Sequence, residues 1–110
     1  VDINEYSNKN VHVMAVSGRL DSNTSKQFED VICERMQEQP ALVVDLEHVD
    51  YISSAGLRVL LKAAKIAKSN SHNLALGGLK PQVQEVFDIS GFTSIFSIHP
   101  SSKAACDALQ

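Results

Sequence analysis

The sequence predicts an α/β domain built on a mostly parallel sheet. Three features carry that expectation. Short runs rich in Val, Ile and Leu alternate with amphipathic stretches at helical spacing. Gly, Pro and Ser-rich turns separate them, and single helices between strands favour right-handed parallel crossovers. At 110 residues and 44% hydrophobic content, residues 1–110 read as one domain with a self-supporting core.

Residues 3–6 are expected to form a short edge strand before a turn at residues 7–10. Residues 11–16 alternate with period two, placing Val11, Val13 and Ala15 on one face, and Gly18 closes this strand. Asp21, Ser22, Asn23 and Thr24 offer N-caps for a helix whose apolar positions are Phe28, Val31, Ile32 and Met36. Pro40 stops it. Residues 41–46 are the continuous apolar run of a central strand covered on both faces. A second helix begins at the turn Ser53-Ser54-Ala55-Gly56, with Leu57, Leu60, Leu61 and Ala64 on its inner face and Ile66 outside it. Residues 73–76 form another strand, closed by Gly77-Gly78. Pro81 opens a third helix with Val83, Val86 and Phe87 inward and Gly91 at its end. Residues 95–98 read as a last strand, and Ser101 or Ser102 caps a fourth helix with Ala105, Ala108 and Leu109 inward.

Composition narrows the function classes. A formal net charge of -3 is poor footing for phosphate contacts, which need clustered Lys and Arg, so no direct nucleic-acid contact is expected. No apolar run is long enough to span a bilayer, and the first residues lack the regions of a signal peptide, which points to a cytoplasmic domain with no membrane contact. Cys33 and Cys106 read as reduced thiols, with a single bridge as the alternative. His12, His48, His72 and His99 show no metal-ligand spacing, and Gly77-Gly78 alone is a turn rather than a phosphate cradle, so neither metal nor cofactor is expected.

The chemistry concentrates at Ser53-Ser54-Ala55-Gly56, where a strand meets a helix N-terminus. Three readings are open from the residues alone. Either serine caps the helix, contributing about 1 kcal/mol. Ser54 is a hydrolase nucleophile, although the G-x-S-x-G elbow is absent. Or a serine here accepts a phosphoryl group, adding about -1.5 to -2 units of charge at a helix end.

The segment from Val44 to Leu57, Val-Asp-Leu-Glu-His-Val-Asp-Tyr-Ile-Ser-Ser-Ala-Gly-Leu, resembles the signature of the STAS domain. More narrowly it is similar to bacterial anti-sigma factor antagonists. Gly18-Arg19-Leu20-Asp21, Gly91-Phe92 and Ile95-Phe96 extend the likeness along the chain. The resemblance implies a non-enzymatic switch. An unmodified antagonist binds an anti-sigma factor that is also a serine kinase and so frees a sigma factor. Phosphorylation releases it, and a PP2C-type phosphatase resets it. Alignment of the Ser-x-Gly-Leu end puts the acceptor at Ser54; many members carry Asp just before it, whereas this chain has Ser53, which is thus the alternative acceptor. Where the family often has Gly after Gly-Leu, this chain has Arg58.

The partner surface implied is Ser53, Ala55 and Gly56, with Asp21, Asp50 and Arg58 around them, and Asp45 nearby. Arg58, Lys62 and Lys65 share a helix face; Arg58 stands four residues after Ser54, within reach of a phosphate there, and the alternative is a solvated face whose basic residues suit the C-terminal half of the helix. The other reading is a STAS binding module that serves as scaffold, sensor or transport-associated subunit without a sigma target.

Overall fold

The computed structural model describes residues 1–110. Its order is β1 (Asp2–Asn8), β2 (Val11–Leu20), α1 (Ser25–Glu38), β3 (Ala41–Ile52), α2 (Ser54–Ser69), β4 (Asn73–Gly77), α3 (Pro81–Ile89), a 3-10 turn (Phe92–Ser94), β5 (Ser97–His99) and α4 (Ser102–Leu109). The five strands lie in sequence order, β1 antiparallel to β2 and the rest parallel. Every crossover therefore advances in the same direction. With a fixed right-handed sense, that places α1, α2 and α3 on one face.

The core follows from this asymmetry. On the three-helix face, Phe28, Ile32 and Met36 of α1, Leu57, Leu60 and Ala63 of α2, and Val83 and Phe87 of α3 pack on Met14, Leu42, Val44 and Leu76. On the other face, Ala105 and Cys106 of α4 cover Val11, Val13, Ala41, Val43 and Ala75. Cys33 packs with the first cluster and Cys106 belongs to the second, so the sheet separates the two free thiols and no bridge joins them.

Several boundaries differ from the sequence reading. Strand β2 passes through Gly18 and ends at Leu20, because a glycine at φ +105° absorbs the irregular register between Ala15 and Arg19. It is buried on both faces, with Met14 and Val16 opposite Val11 and Val13. Strand β3 runs on to Ile52, its outer half polar at Glu47, His48, Asp50 and Tyr51 and buried at Val49 and Ile52. The inner face of α2 is rotated towards α1. Val59, Ala63 and Ala67 are buried, while Leu61 and Ala64 are only half-buried. Ile66 packs against the core rather than standing outside it. Residues 92–94 form a 3-10 turn, Ile95 is exposed, and Phe96 meets Phe87 edge-on at 5.8 Å, which leaves only residues 97–99 as a strand. In α4, Cys106 takes the inward position expected of Ala108, which is exposed.

Edge strand β1 is held to α1 by one carboxylate. Glu5 Oε1 accepts from Arg35 Nε and pairs with His12 Nε2, both at 2.7 Å. Partial burial raises the Glu5 pKa, but the bonds from His12 and Arg35 outweigh it and hold the group below its ordinary value. Its stabilising contribution is therefore complete above the unfolded Glu range, about 4.3, and is lost as pH falls through the lowered folded value. Glu5→Gln is expected to melt below the wild type near neutral pH and to converge with it in acid, in thermal scans across pH. Parallel curves would show that Glu5 is not the group responsible.

Candidate functional site

Strands β2 and β3 deliver their C-terminal ends to the same place. Leu20 pairs with Ile52 in the parallel register, and Ser53 N–H donates to the Leu20 carbonyl at 2.8 Å. That bond holds Ser53 in extended conformation, φ -97° and ψ 176°, as the N-cap of α2. Its Oγ accepts from Gly56 N–H at 3.4 Å, and its carbonyl accepts from Leu57 N–H at 3.0 Å.

Ser54 is the first residue of the helix itself, and its side chain is exposed. Its own N–H and that of Ala55 have no helical carbonyl one turn back to bond. An anion on Ser54 would therefore lie against open donors at the positive end of the helix dipole. The two serines are adjacent in sequence and different in situation: Ser53 is half-buried and engaged, and Ser54 projects outward. Ser53→Ala is expected to cost about 1 kcal/mol of stability through the lost cap while leaving the Ser54 hydroxyl in place. Denaturant unfolding checks it, and an unchanged midpoint would remove the cap from the account.

Gly56 is buried beneath the turn. A Cβ there would stand 2.9 Å from Ile52 Cγ1 and 3.0 Å from the Leu20 carbonyl oxygen, so its absence lets α2 start against the ends of both strands. Gly56, expected on the partner surface, is instead buried against Ile52 and Leu20. Ala55 is half-buried and lines a cleft of about 380 Å³ between α1 and α2, together with Ser25, Glu29, Arg58, Lys62 and Lys65. Arg58 is exposed on the rim of this cleft and is engaged in no ion pair.

Asp21 and Asp50 reach the same end of the sheet by different routes. Asp21 terminates β2, and its Oδ1 accepts from Asn23 N–H at 3.0 Å and Thr24 N–H at 3.2 Å. Its side chain thus closes the turn that leads into α1, and Thr24, the N-cap residue of that helix, makes no side-chain cap bond. Desolvation raises the Asp21 pKa, but the Asn23 and Thr24 bonds and Arg19 more than offset it, leaving the carboxyl below its ordinary range. Asp50 is bonded to Lys80 Nζ at the start of α3, and that bond, with the attraction of the ammonium, lowers its pKa. Arg19 lies over the Tyr51 ring at 4.4 Å and contacts Asp21 at 3.4 Å. Asp45 is buried and accepts from Glu47 N–H at 3.0 Å, a turn role at the strand's bend.

Arg19 and Tyr51 lie in segments that carry the family likeness, but neither they nor Lys80 is expected at the site from the sequence. What places them there is the pairing of Arg19 with Tyr51 in adjacent strands and the approach of α3, neither of which is local. The structure therefore brings Asp21, Asp50, Ser53 and Ser54 to one end of the sheet, places Arg58 at the adjoining cleft, and buries Gly56.

The STAS domain family model matches residues 2–105. The chain belongs to the STAS domain family. Among its relatives, this STAS domain is similar to BtrV of Bordetella bronchiseptica, named as an anti-sigma factor antagonist: 40% identical over 99 residues, covering 89% of this chain and 85% of the relative. Its fold matches the crystal structure of an anti-sigma factor antagonist from Mycobacterium paratuberculosis with a TM-score of 0.90 at 24% identity, over 98% of this chain and 92% of the other. It also matches the phosphorylated form of the Bacillus cell fate determinant SpoIIAA with a TM-score of 0.75 at 16% identity, over 99% of this chain and 100% of the other. The STAS fold accounts for the sequential, mostly parallel sheet, and no helix of this domain is long and apolar enough to cross a membrane.

Proposed function

We propose that this STAS domain, comprising residues 1–110, is a cytoplasmic anti-sigma factor antagonist with no catalytic activity of its own. Unmodified, it binds an anti-sigma factor that is also a serine kinase and so frees a sigma factor. The kinase moves the γ-phosphoryl group of ATP to Ser54 Oγ, with ADP leaving and the hydroxyl proton lost. The added charge ends the complex, and a PP2C-type phosphatase restores it. The partner surface comprises Ser53, Ser54, Ala55, Asp21, Asp50 and Arg58.

One observation carries the reading. Of two adjacent serines at the start of α2, Ser53 is committed to the cap and Ser54 is exposed at the helix N-terminus. A phosphate at Ser54 would meet helix N–H groups and, one turn on, Arg58, so modification is compatible with an intact fold. The names of BtrV and the other relatives supply the class of partner.

The test is intact-mass and peptide-mapping spectrometry after incubation with a kinase-type anti-sigma factor and ATP, with wild type beside Ser54→Ala and Ser53→Ala. A single phosphate on Ser54, absent only from Ser54→Ala, is expected. A phosphate on Ser53 would move the acceptor. None, with a kinase active on its own antagonist, would favour an unswitched STAS binding module.

A further inference from the structure

Positive charge is distributed unevenly over this molecule. Outside α2, Arg19, Lys26, Arg35, Lys80 and Lys103 each pair with a carboxylate, and Lys9 alone does not. On α2 only Lys62 does, reaching Glu29 at 3.1 Å. Arg58, Lys65 and Lys68 are exposed and engaged in no ion pair, and α2 contains no Asp or Glu. At 100° per residue, Arg58, Lys62, Lys65 and Lys68 fall within about 120° of one another, forming one stripe along the helix.

Helix stability does not account for the stripe. The macrodipole favours Lys68 in the last turn, but Arg58 stands near the N-terminal end, where it is opposed, and the first turn holds no acid to compensate. In a chain of net charge -3, this is a local field of the opposite sign. The stripe is also flanked on both sides. One cleft, towards α1, is the one that Arg58, Lys62 and Lys65 share. The other, of about 510 Å³ towards β4 and the segment before β5, takes Lys65 and Lys68 on its rim and Leu61, Leu74 and the 52% exposed Ile95 in its lining.

We infer that α2 docks an acidic segment of a partner protein, with carboxylates along the basic stripe and interspersed apolar side chains entering the flanking clefts. Charge complementarity names the occupant. The stripe carries no aromatic side chain on which a base could stack, and its few cations are a small footprint for a nucleic acid. The inference deepens the partner-binding reading and does not depend on phosphorylation of Ser54.

The experiment is fluorescence anisotropy of the full chain with a labelled amphipathic Glu/Leu peptide, repeated across salt concentrations. Saturable binding is expected, weakened about tenfold or more by Lys65→Glu with Lys68→Glu, since two exposed attractions become repulsions. Lys65→Gln with Lys68→Gln should give a smaller loss and a shallower salt slope. Lys26→Glu with Lys103→Glu, of equal net charge, should change affinity less than about twofold, and circular dichroism establishes that each variant is folded. No saturable binding by the wild type would overturn the inference. So would equal losses in the two charge-reversed variants, or tighter binding of an oligothymidylate or of phosphatidylserine vesicles. Peptide binding by a protein that no kinase modifies would leave the docking surface standing and the switch refuted; the reverse pattern would do the opposite.

Discussion

Ser54→Asp is expected to bind the kinase-type partner about 10²–10³-fold more weakly than wild type. The side chain is exposed at the start of α2, so the substitution places a carboxylate directly in the proposed interface. A charge that complex formation desolvates against a partner surface shaped for a neutral hydroxyl costs about 3–4 kcal/mol, and each 1.4 kcal/mol is about tenfold in affinity. The same carboxylate, in the free protein, sits at the positive end of a helix dipole. Thermal stability should therefore hold or rise by about 0.3–1 kcal/mol. Affinity and stability moving apart is what distinguishes a local charge switch from a folding defect. Ser54→Ala should keep its affinity within about threefold, because the hydroxyl makes no bond within the protein that its loss would orphan. Titration calorimetry and melting curves on the three proteins settle it. Full affinity in Ser54→Asp would sink the switch.

Gly56→Val is expected to destabilise the domain by about 3 kcal/mol, near the upper end of overpacking costs. The first added carbon already approaches Ile52 Cγ1 at 2.9 Å, the Leu20 carbonyl oxygen at 3.0 Å and Leu20 Cβ at 3.1 Å. Ile52 and Leu20 are both buried, so neither has free space to retreat into. Relief requires α2 to lift from the strand ends, which strains the Ser53-to-Leu20 bond that sets the cap. For a domain of this size the melting temperature should fall by roughly 12 °C. Partner affinity, corrected for the folded fraction, should fall far less than in Ser54→Asp. A stable Gly56→Val that no longer binds would return Gly56 to the interface itself.

Much of the fold was legible because its signals are local. Pro40 and Pro81 mark helix limits through missing N–H groups, Gly91 adopts a positive φ just past α3, and Phe28, Ile32 and Met36 keep helical spacing into the core. The polar outer half of β3 was not legible as strand. Glu47, His48, Asp50 and Tyr51 are exposed and only Val49 and Ile52 are buried, a spacing without strict alternation, and pairing with residues 17–20 of β2 makes the segment extended. Ile66 was misplaced for a related reason: helical spacing identifies a face, but where the neighbouring helix lies determines how wide the buried arc is.

The site divides in the same way. Two serines at a strand-to-helix turn before a glycine and an arginine, and the likeness of this pattern to the STAS signature, are readable from the residues alone. Which serine is engaged and which is free was decided only by tertiary structure. The Leu20 carbonyl, more than thirty residues back along the chain, holds the Ser53 backbone extended and turns its hydroxyl to the helix. The gathering of Asp21 and Asp50 around them likewise depends on the parallel register of β2 and β3. A hydrogen bond between strands carries no trace in the side chains on either side of it, because backbone groups are the same at every residue.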